Sequence, residues 1–429
     1  MSNAAPVKPA GAIFGRALRH RNYRLFFSGQ SISLVGTWIT RVATSWLVYR
    51  LTGSSLLLGT VGFAGQIPTF LVAPFAGVWV DRWNRHRVLL VTQVLAMLQS
   101  AALAALTLSG RVTIPWIVAL SVFQGVINAF DVPARQSFIM YMLEERADLP
   151  NAIALNSSMV NGARLLGPSI AGALIAAVGE GYCFLIDAVS YVAVVASLVA
   201  MRIPKAPPSK EPRDMLGQLV EGFRYVAGFK PIKSVLLLMA LVSFMGMPYQ
   251  VLMPAVASRI LHGGAHTLGF LMTASGVGAL TGTLYLASRR SVLGLGKIIA
   301  FAAALFGSCL IAFSFSRTFW LSFVLLVPAG LGMMVQMAAS NTILQTLVDD
   351  DKRGRVMSFF TMAFFGTVPF GSLFAGVTAD AFGAPAAILV GGVCCVLGGA
   401  VFYRALPGLR EAVRPIYLRL GILSDSPEQ

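Results

Sequence analysis

Long runs of apolar residues recur along the whole chain of 429 residues. A helix needs about 20 mostly apolar residues to cross the ~30 Å hydrocarbon core of a bilayer. Twelve runs meet this requirement, at residues 25–49, 56–80, 88–109, 112–135, 151–176, 181–202, 233–258, 265–287, 296–315, 318–345, 355–382 and 385–405. Only 12% of the residues are charged, against about a quarter in soluble domains. The sequence therefore predicts an all-α integral membrane protein with twelve transmembrane helices.

Lysine and arginine residues are concentrated in alternate loops. If the N-terminus is cytoplasmic, the cytoplasmic segments hold 27 of the 33 Lys and Arg residues, the outer loops hold four, and two lie within spans. Membrane proteins keep such an excess on the cytoplasmic side, so both termini are expected inside the cell. The same bias accounts for the net charge of +16 without a nucleic-acid partner. The first 24 residues are basic and lack an apolar core, which argues against a cleavable signal peptide.

The spans divide into two groups of six. We expect a cytoplasmic N-terminal segment at 1–24, a six-helix bundle at 25–202, a cytoplasmic linker at 203–232, a second six-helix bundle at 233–405 and a cytoplasmic tail at 406–429. The linker should contain an amphipathic helix at the inner surface, since one helical face is apolar, formed by Leu216, Leu219, Val220, Phe223, Val226 and Ala227.

A weak internal repeat relates the two groups. The stretch ARLLGPSIAGAL in the fifth span is echoed by FGTVPFGSLFAGV in the eleventh, and the loops that precede these spans are also alike. Parallel repeats of six helices suit a transporter with a central cavity between its halves.

The stretch GVWVDRWNRHRVLL after the second span carries a known signature. Gly77, Asp81, Arg82, Arg85 and Arg87 fit the pattern G-x-x-x-D-R/K-x-G-R/K-x-R/K. With twelve spans in two groups, the chain resembles the major facilitator superfamily. Asn84 replaces the usual glycine, and asparagine also tolerates left-handed turns.

Longer stretches narrow the resemblance. NYRLFFSGQSISLVGTWITRVATSWLVYRLTGS, QGVINAFDVPARQSF and LPNAIALNSSMVNGARLLGPSIAG are similar to the branch of bacterial exporters that includes the enterobactin exporter and macrolide-efflux proteins. This resemblance implies proton-driven export of a small molecule across the bacterial inner (plasma) membrane, by a protein that functions as a monomer.

The chain departs from related drug antiporters at two motifs. Ser121 stands where many of them carry an arginine in the fourth span, three residues before Gln-Gly, so a coupling role of that arginine does not carry over. The antiporter signature of the fifth span is partial, but its small residues remain, and we expect close helix packing there. The packing residues are Gly167, Pro168 and Gly172, with Ala163 and Ala171.

Three charged residues lie inside spans of the first half. Arg41, Arg164 and Asp187 fall at similar depth, about 20–24 Å above the inner ends of their helices by helical rise. A charge within a span costs at least ~2.5–3.5 kcal/mol and calls for a partner or a wet cavity. We therefore predict a buried cluster of these three, with Asp187 as the candidate proton acceptor. The alternative is a fixed ion pair that only holds helices together.

The resemblance also implies an inner latch near the signature stretch. Arg85 would pair with Asp131, and Asp81 would face the N-terminus of the eleventh span at 354–358, where a helix carries partial positive charge. Gly77, Arg82 and Arg135 complete this predicted group. The alternative is a positive-inside anchor with a tight turn.

Polar uncharged residues in other spans are candidates for lining the central cavity, namely Gln66, Gln124, Asn128, Gln250 and Gln336. Each of them also suits a simple helix–helix hydrogen bond. The histidines and cysteines have no metal-site spacing, and no phosphate loop or nucleophile–base group stands out. We therefore expect no cofactor, no metal and no enzymatic activity. The expected partners are a small-molecule substrate, protons and the lipid bilayer.

Other functions stay open at this point. An importer or a uniporter has the same spans, because direction depends on coupling and supply. A sensor or scaffold that binds ligand without cycling and a membrane-embedded transferase are the alternatives outside transport. The latch residues argue against a scaffold, and the missing catalytic group argues against a transferase.

Overall fold

The computed structural model describes residues 15–202, 215–289 and 291–422, and these residues are almost entirely helical. The helices of the first half are α1 (Arg21–Thr52), α2 (Ser55–Arg82), α3 (Arg85–Leu108), α4 (Ile114–Phe138), α5 (Leu149–Val178) and α6 (Glu180–Ala200). Those of the second half are α7 (Met215–Gly228), α8 (Lys230–Leu241), α9 (Tyr249–Ala255), α10 (Ala265–Ser288), α11 (Leu295–Phe315), α12 (Phe319–Leu347), α13 (Asp350–Thr361), α14 (Val368–Phe382) and α15 (Ala384–Arg419).

Within the described residues, eleven helical segments are long and apolar enough to cross a membrane. The one remaining predicted span, the first along the chain, is α1, which is a continuous helix of 32 residues but is less apolar than the others. Its interior carries polar side chains, among them Gln30, Ser33, Thr37 and Thr40. The low apolarity of α1 thus reflects polar groups on a helix that is long enough to span.

π-helical turns interrupt two of the predicted spans. Turns at Val242–Gly246 and Val256–Ile260 divide the seventh span, and one at Met362–Gly366 separates α13 from α14. Two of these turns lie just before a proline, Pro248 and Pro369, whose missing N–H and ring disturb the regular α-helical hydrogen bonds. Broken helices of this kind often form binding sites in transporters.

Two turns repeat at corresponding places of the halves. Gly179 joins α5 to α6 with φ of 83°, and Gly383 joins α14 to α15 with φ of 88°. Positive φ is accessible to glycine at little cost, so both tight connections depend on the absence of a side chain. These turns extend the weak repeat seen in the sequence.

Contacts between Cα atoms divide the chain into two units. One comprises residues 1–44 and 71–210, and the other comprises 45–70 and 211–429. In the first unit α3 packs between α4 and α6, and in the second α11 packs between α12 and α15. The second unit also includes the end of α1 and most of α2, and α2 packs on α14, where Phe63 and Phe70 contact Phe370. The prediction of bundles at 25–202 and 233–405 stays a prediction.

Two of the predicted cytoplasmic segments contain helices. Helix α7 covers 215–228 and lies against α13, where Phe223 contacts Phe359 with ring centroids 6.4 Å apart. The side chains of Leu216, Leu219 and Val220, as well as residues 203–214, lie outside the described residues. Helix α15 continues to Arg419, beyond the predicted end of the last span at 405, because buried Leu406 and Val413 pack one face of the extension on the bundle.

Candidate functional site

Asp187 lies at the centre of a buried polar site in the first unit. Its side chain is 1% exposed and accepts two hydrogen bonds at Oδ2, from Thr40 Oγ1 at 2.8 Å and from Ser100 Oγ at 2.7 Å. The other carboxyl oxygen, Oδ1, is buried without a hydrogen-bond partner. The site therefore joins α1, α3 and α6 through a carboxyl group with one satisfied and one open oxygen.

A glycine on α1 makes room for this carboxyl group. A Cβ atom on Gly36 would lie 2.6 Å from Asp187 Oδ1 and 2.6 Å from Ser190 Oγ. Real carbon and oxygen atoms do not approach so closely, so a larger residue at this position displaces the carboxyl group. Gly36 and Thr40 are one turn apart on α1, which is why both face α6.

The predicted ion cluster is wrong in its pairing. The carboxyl group of Asp187 is held by hydroxyl groups instead, since Thr40 and Ser100 donate to Oδ2 and Oδ1 has no hydrogen-bond partner. Similar depth along the helices is not sufficient for contact between the three charges, because side chains meet only when the helical faces that carry them are turned toward each other. Asp187 points toward Thr40 on α1, whereas Arg41 is the next residue and lies about 100° around the helix.

Arg41 has a different environment. Its guanidinium lies over the ring of Trp38, 5.1 Å from the centroid, and its side chain is exposed. The positive charge of Arg164 on α5 acts on it. The structure therefore brings Arg41 near another cation and an aromatic face.

The small residues of α5 pack tightly on α1. A Cβ atom on Gly167 would lie 2.4 Å from Cβ of Trp38, so the backbones are as close as glycine permits. Pro168 and Gly172 are also buried. The second unit repeats this arrangement, since a Cβ on Gly371 would lie 2.2 Å from the carbonyl oxygen of Phe244.

Asp131 forms a compact network at the end of α4. Its side chain accepts hydrogen bonds at Oδ1 from Thr92 at 3.1 Å and Gln93 at 2.7 Å, and Oδ2 forms an ion pair with Arg135. The predicted partner Arg85 instead donates to Tyr141 Oη and lies 5.2 Å from the centroid of its ring. Arg135 forms the ion pair with Asp131 because the two residues are one helical turn apart on the same helix.

The rest of the predicted latch is only partly described. The side chain of Asp81 lies outside the described residues, and Arg82 is exposed at the end of α2. Nothing lies within 4 Å of a Cβ built on Gly77, so close packing does not require glycine there. Asn84 does not form a left-handed turn: with φ of −70° it caps α3 by accepting from Arg87 N at 3.1 Å, a role that asparagine fills well.

The predicted cavity amides form local hydrogen bonds. Gln66 donates to Gly62 O at 3.2 Å, Gln124 to Asn128 Oδ1 at 3.2 Å, Gln250 to Tyr249 Oη at 3.4 Å and Gln336 to Ser340 Oγ at 3.5 Å. Each partner is on the same helix, within four residues. An amide has two N–H donors and one acceptor oxygen. Each of these side chains can therefore form further hydrogen bonds with other groups besides its local one.

The N-terminal segment is anchored by a buried histidine. His20 Nδ1 accepts from the Glu144 N–H at 3.3 Å, so Nε2 carries the proton and donates to Asp148 Oδ2 at 2.8 Å. The hydrogen bond from His20, with the guanidinium of Arg19 beside it, holds the pKa of Asp148 below its ordinary value of 3.8. Sequence reasoning noted His20 only as lacking metal-site spacing, and no metal-binding group is found among the described residues.

Sequence reasoning missed Gly36, Thr40 and Ser100. Small and hydroxyl residues are common in transmembrane helices, so none of the three differs from its neighbours by type. The spacing of Gly36 and Thr40 on one helical face was the available signal, and it has meaning only once the facing residue is known to be Asp187.

Known proteins resemble this chain over most of its length. A family model described as transmembrane secretion effector matches residues 16–415. The staphyloferrin A transporter of Staphylococcus aureus is 27% identical over 384 residues, covering 89% of this chain and 95% of that protein. The multidrug efflux pump Tap of Mycolicibacterium fortuitum is 29% identical over 388 residues, covering 88% and 93%.

The fold also has solved relatives. The structure of a bacterial homologue of the human lysosomal transporter Spinster, in an inward-facing and occupied conformation, superposes with a TM-score of 0.72. The superposition covers 92% of this chain and 98% of the Spinster homologue, and the two sequences are 15% identical. At this identity the match concerns the fold alone.

Proposed function

The chain belongs to the transmembrane secretion effectors, a family of major facilitator transporters, and from this premise we propose that it exports an amphipathic small molecule in exchange for protons. The substrate class is a siderophore or a drug-like compound. Relatives named for staphyloferrin A transport and for multidrug efflux support this class. Export would proceed by alternating access, through rocking of two six-helix bundles about a site near the midplane.

The site of Asp187 carries the proposal of proton coupling. A carboxyl group that carries the coupling proton needs an oxygen that can accept this proton. Its surroundings must also accommodate both the ionised and the protonated form. Oδ1 is free to bind the proton, while Thr40 and Ser100 keep donating to Oδ2. Because the donors are neutral hydroxyl groups, protonation breaks no ion pair.

Protonation also offers a route to a change in helix packing. The carboxyl group lies against Gly36 on α1 and receives a bond from Ser100 on α3. A proton on Oδ1 removes the charge and adds a donor at the α1 contact. The proposed cycle uses this change to alter how α1 packs on α6.

The proposed orientation puts both termini in the cytoplasm, in the inner membrane of a bacterium, with the protein acting as a monomer. The excess of Lys and Arg in alternate loops supports this orientation. The latch is proposed to close the inner side through Asp81 and Arg85, with Asp131 and Arg135 as a fixed pair that supports the end of α4.

Uptake into inverted membrane vesicles tests the proposal. Export from the cell becomes uptake into such vesicles, and the probes are staphyloferrin A and a macrolide antibiotic. We expect uptake of at least one probe that requires an imposed acid-inside pH gradient and stops when a protonophore collapses it. Uptake that ignores the gradient would exclude proton coupling.

Two variants locate the coupling group. Asp187→Asn should keep probe binding and lose the dependence of uptake on the pH gradient, because the amide has no titratable proton. Glu411→Gln is the matched control, since Glu411 is an exposed carboxyl on the extension of α15, and it should behave as wild type. Wild-type pH dependence in Asp187→Asn would remove the proposed role.

The runner-up functions give other outcomes in the same assay. An importer accumulates the probe in right-side-out vesicles under the natural gradient. A uniporter equilibrates the probe in either orientation and never concentrates it. A sensor binds the probe in detergent but transports it in neither preparation.

A further inference from the structure

We propose that a cleft beside α15 binds an anionic phospholipid, with its phosphate on Arg410 and Arg414 and an acyl chain among apolar side chains. The cleft lies within the second unit and has a volume of about 330 Å³, at the lower end of the roughly 300–1,000 Å³ of ligand pockets. Most of its lining is apolar, including Val235, Leu295, Ile343, Leu347, Phe402 and Leu406. The lipid site is independent of the proposed export.

The cleft lies where four helices are expected to reach the same face of the membrane. Val235 is in the first half of α8 and Leu295 begins α11, whereas Leu347 ends α12. The predicted spans of these helices begin or end within a few residues of these positions, and the last predicted span ends beside Leu406. Because a span ends where the hydrocarbon core ends, the cleft lies at the level where acyl chains meet lipid headgroups.

The side of α15 that lines the cleft changes from apolar to basic along the helix. Four of its lining residues follow one another at intervals of four positions, namely Phe402, Leu406, Arg410 and Arg414. The first two are buried and the last two are exposed, and the row is about 18 Å long by helical rise. A ligand that lies along it needs an apolar tail at one end and an anion at the other. An anionic phospholipid combines these two parts.

The two arginines of this row suit a phosphate group. Residues four positions apart are neighbours on a helix surface, with Cβ atoms about 5–6 Å apart, and guanidinium groups bind phosphate through paired N–H donors. In the part of the chain that the structure describes, neither Arg410 nor Arg414 forms an ion pair or a hydrogen bond. Arg419, further along the helix, is instead paired with Asp349 at 2.8 Å. Both guanidinium groups at the cleft are thus available to a ligand.

The charge around the cleft favours an anionic occupant over a neutral one. Residues 404–419 include four arginines and one acid, Glu411. Three exposed lysines lie within two positions of lining residues on α8 and α11, namely Lys230, Lys233 and Lys297. The rim is therefore net positive even with Glu411 counted. Basic pockets between transmembrane helices at the cytoplasmic side bind anionic lipid headgroups, and this face is the one predicted to be cytoplasmic.

Native mass spectrometry of the purified full chain tests the lipid site, because each bound lipid appears as added mass. The probes are dioleoylphosphatidylglycerol, which is anionic, and dioleoylphosphatidylcholine, which has the same acyl chains and a zwitterionic headgroup. Titration in a non-ionic detergent gives the affinity for the first molecule of each lipid. We expect phosphatidylglycerol to bind roughly 5- to 30-fold more tightly, the range expected for one or two basic residues beside an anionic lipid. Equal affinities would overturn the inference.

Variants assign the preference to the cleft, with thermal unfolding in detergent as the check that each is folded. The double variant Arg410→Gln/Arg414→Gln should bring the two affinities within about twofold of each other, because both charges are removed. Arg21→Gln/Arg24→Gln is the matched control, since it removes two exposed arginines at the start of α1, on the same predicted side of the membrane, and should keep the preference. Val292→Trp enlarges a side chain of the cleft wall and should weaken the binding of both lipids. An unchanged preference in the first variant, a lost one in the control, or unchanged binding in Val292→Trp would contradict the assignment.

Competition distinguishes the lipid from other occupants of the cleft. At equal concentration, neither the two vesicle probes nor glycerol phosphate, which lacks acyl chains, should displace phosphatidylglycerol. Displacement by a vesicle probe would assign the cleft to the transported molecule, and displacement by glycerol phosphate would make it a phosphate site, so either result overturns the lipid site. Selective lipid binding in a protein that transports neither vesicle probe would refute the proposed function alone. Uptake that depends on the pH gradient, in a protein without the lipid preference, would refute the lipid site alone.

Discussion

At the scale of single residues, Gly36 is the residue on which the candidate proton site most depends. Its missing side chain is what allows Asp187 to reach α1. Gly36→Ala adds a Cβ 2.6 Å from the carboxyl oxygen, and overpacking of this kind costs typically 1–3 kcal/mol. We expect a lower midpoint of thermal unfolding in detergent together with loss of pH-dependent uptake.

The control for this change is a glycine with free space around it. Nothing lies within 4 Å of a Cβ built on Gly162 in α5. Gly162→Ala should be neutral or slightly stabilising, since alanine is favoured over glycine by about 0.5–1 kcal/mol inside a helix. Equal destabilisation by both variants would mean that the contact with Asp187 is not the cause.

A second residue-scale prediction concerns the anchor of the N-terminal segment. The folded-state pKa of Asp148 is lowered by His20 and Arg19, so the ionised carboxyl stabilises the fold above its ordinary pKa of 3.8. That contribution is lost as the pH falls through the lower folded-state value. The difference in unfolding midpoint between wild type and Asp148→Asn should be constant at pH 5–6 and shrink only below about pH 4. A difference that already shrinks between pH 6 and pH 5 would contradict this assignment.

At the scale of elements, the end of α1 is clamped to the turn after α9. Arg259 Nη2 donates to Gly53 O at 2.8 Å, and its guanidinium lies 5.8 Å from the centroid of the Tyr49 ring. A Cβ on Gly59 of α2 would lie 2.5 Å from the carbonyl oxygen of Ser372 on α14. These contacts close the end of the second unit that is predicted to face outside, and the proposed alternating access would require them to open.

Arg259→Gln should therefore make this end open more often. The readout is labelling of a cysteine at position 54 by a membrane-impermeant maleimide, in a background without the four native cysteines. Loss of an exposed charged hydrogen bond, about 1 kcal/mol, predicts roughly fivefold faster labelling. Arg317→Gln is the control, because Arg317 donates only locally, to the carbonyl groups of Ser314 at the end of α11 and of Ser316, and it should leave the rate unchanged. Equal rates in wild type and Arg259→Gln would show that this clamp does not limit opening.

Elements were predicted better than contacts between them. Helix ends agree with the sequence within a few residues for most spans, because apolar length is fixed by the bilayer. The family resemblance is confirmed by the match to the family model, and it could be recognised from the sequence because the signature stretch is one continuous segment. The partners of Asp187 and Asp131 were wrong because they depend on which helical faces meet. The length of α15 was missed because its extension is amphipathic and packs on protein, so it lacks the apolar length of a span.

At the scale of the whole molecule, the sequence indicates the orientation of the protein in the membrane. The geometry of the helices alone does not determine which side faces the cytoplasm. The basic residues are distributed 27 to four between the two sets of loops, and the structure adds that several of them have local roles, such as Arg135 with Asp131. Such pairs reduce the exposed charge. The remaining bias is still strongly one-sided, so it should determine orientation during insertion.

A reporter at each side tests this orientation. Alkaline phosphatase is active only outside the cytoplasm, whereas green fluorescent protein fluoresces when it folds inside. Fused after Gln429, the fluorescent protein should be bright and the phosphatase inactive. Fused after a truncation at Arg317, in an outer loop, the phosphatase should be active and the fluorescence weak. The reverse pattern would invert every inner and outer assignment. Because vesicle uptake is interpreted through the same orientation, this measurement precedes the transport assay.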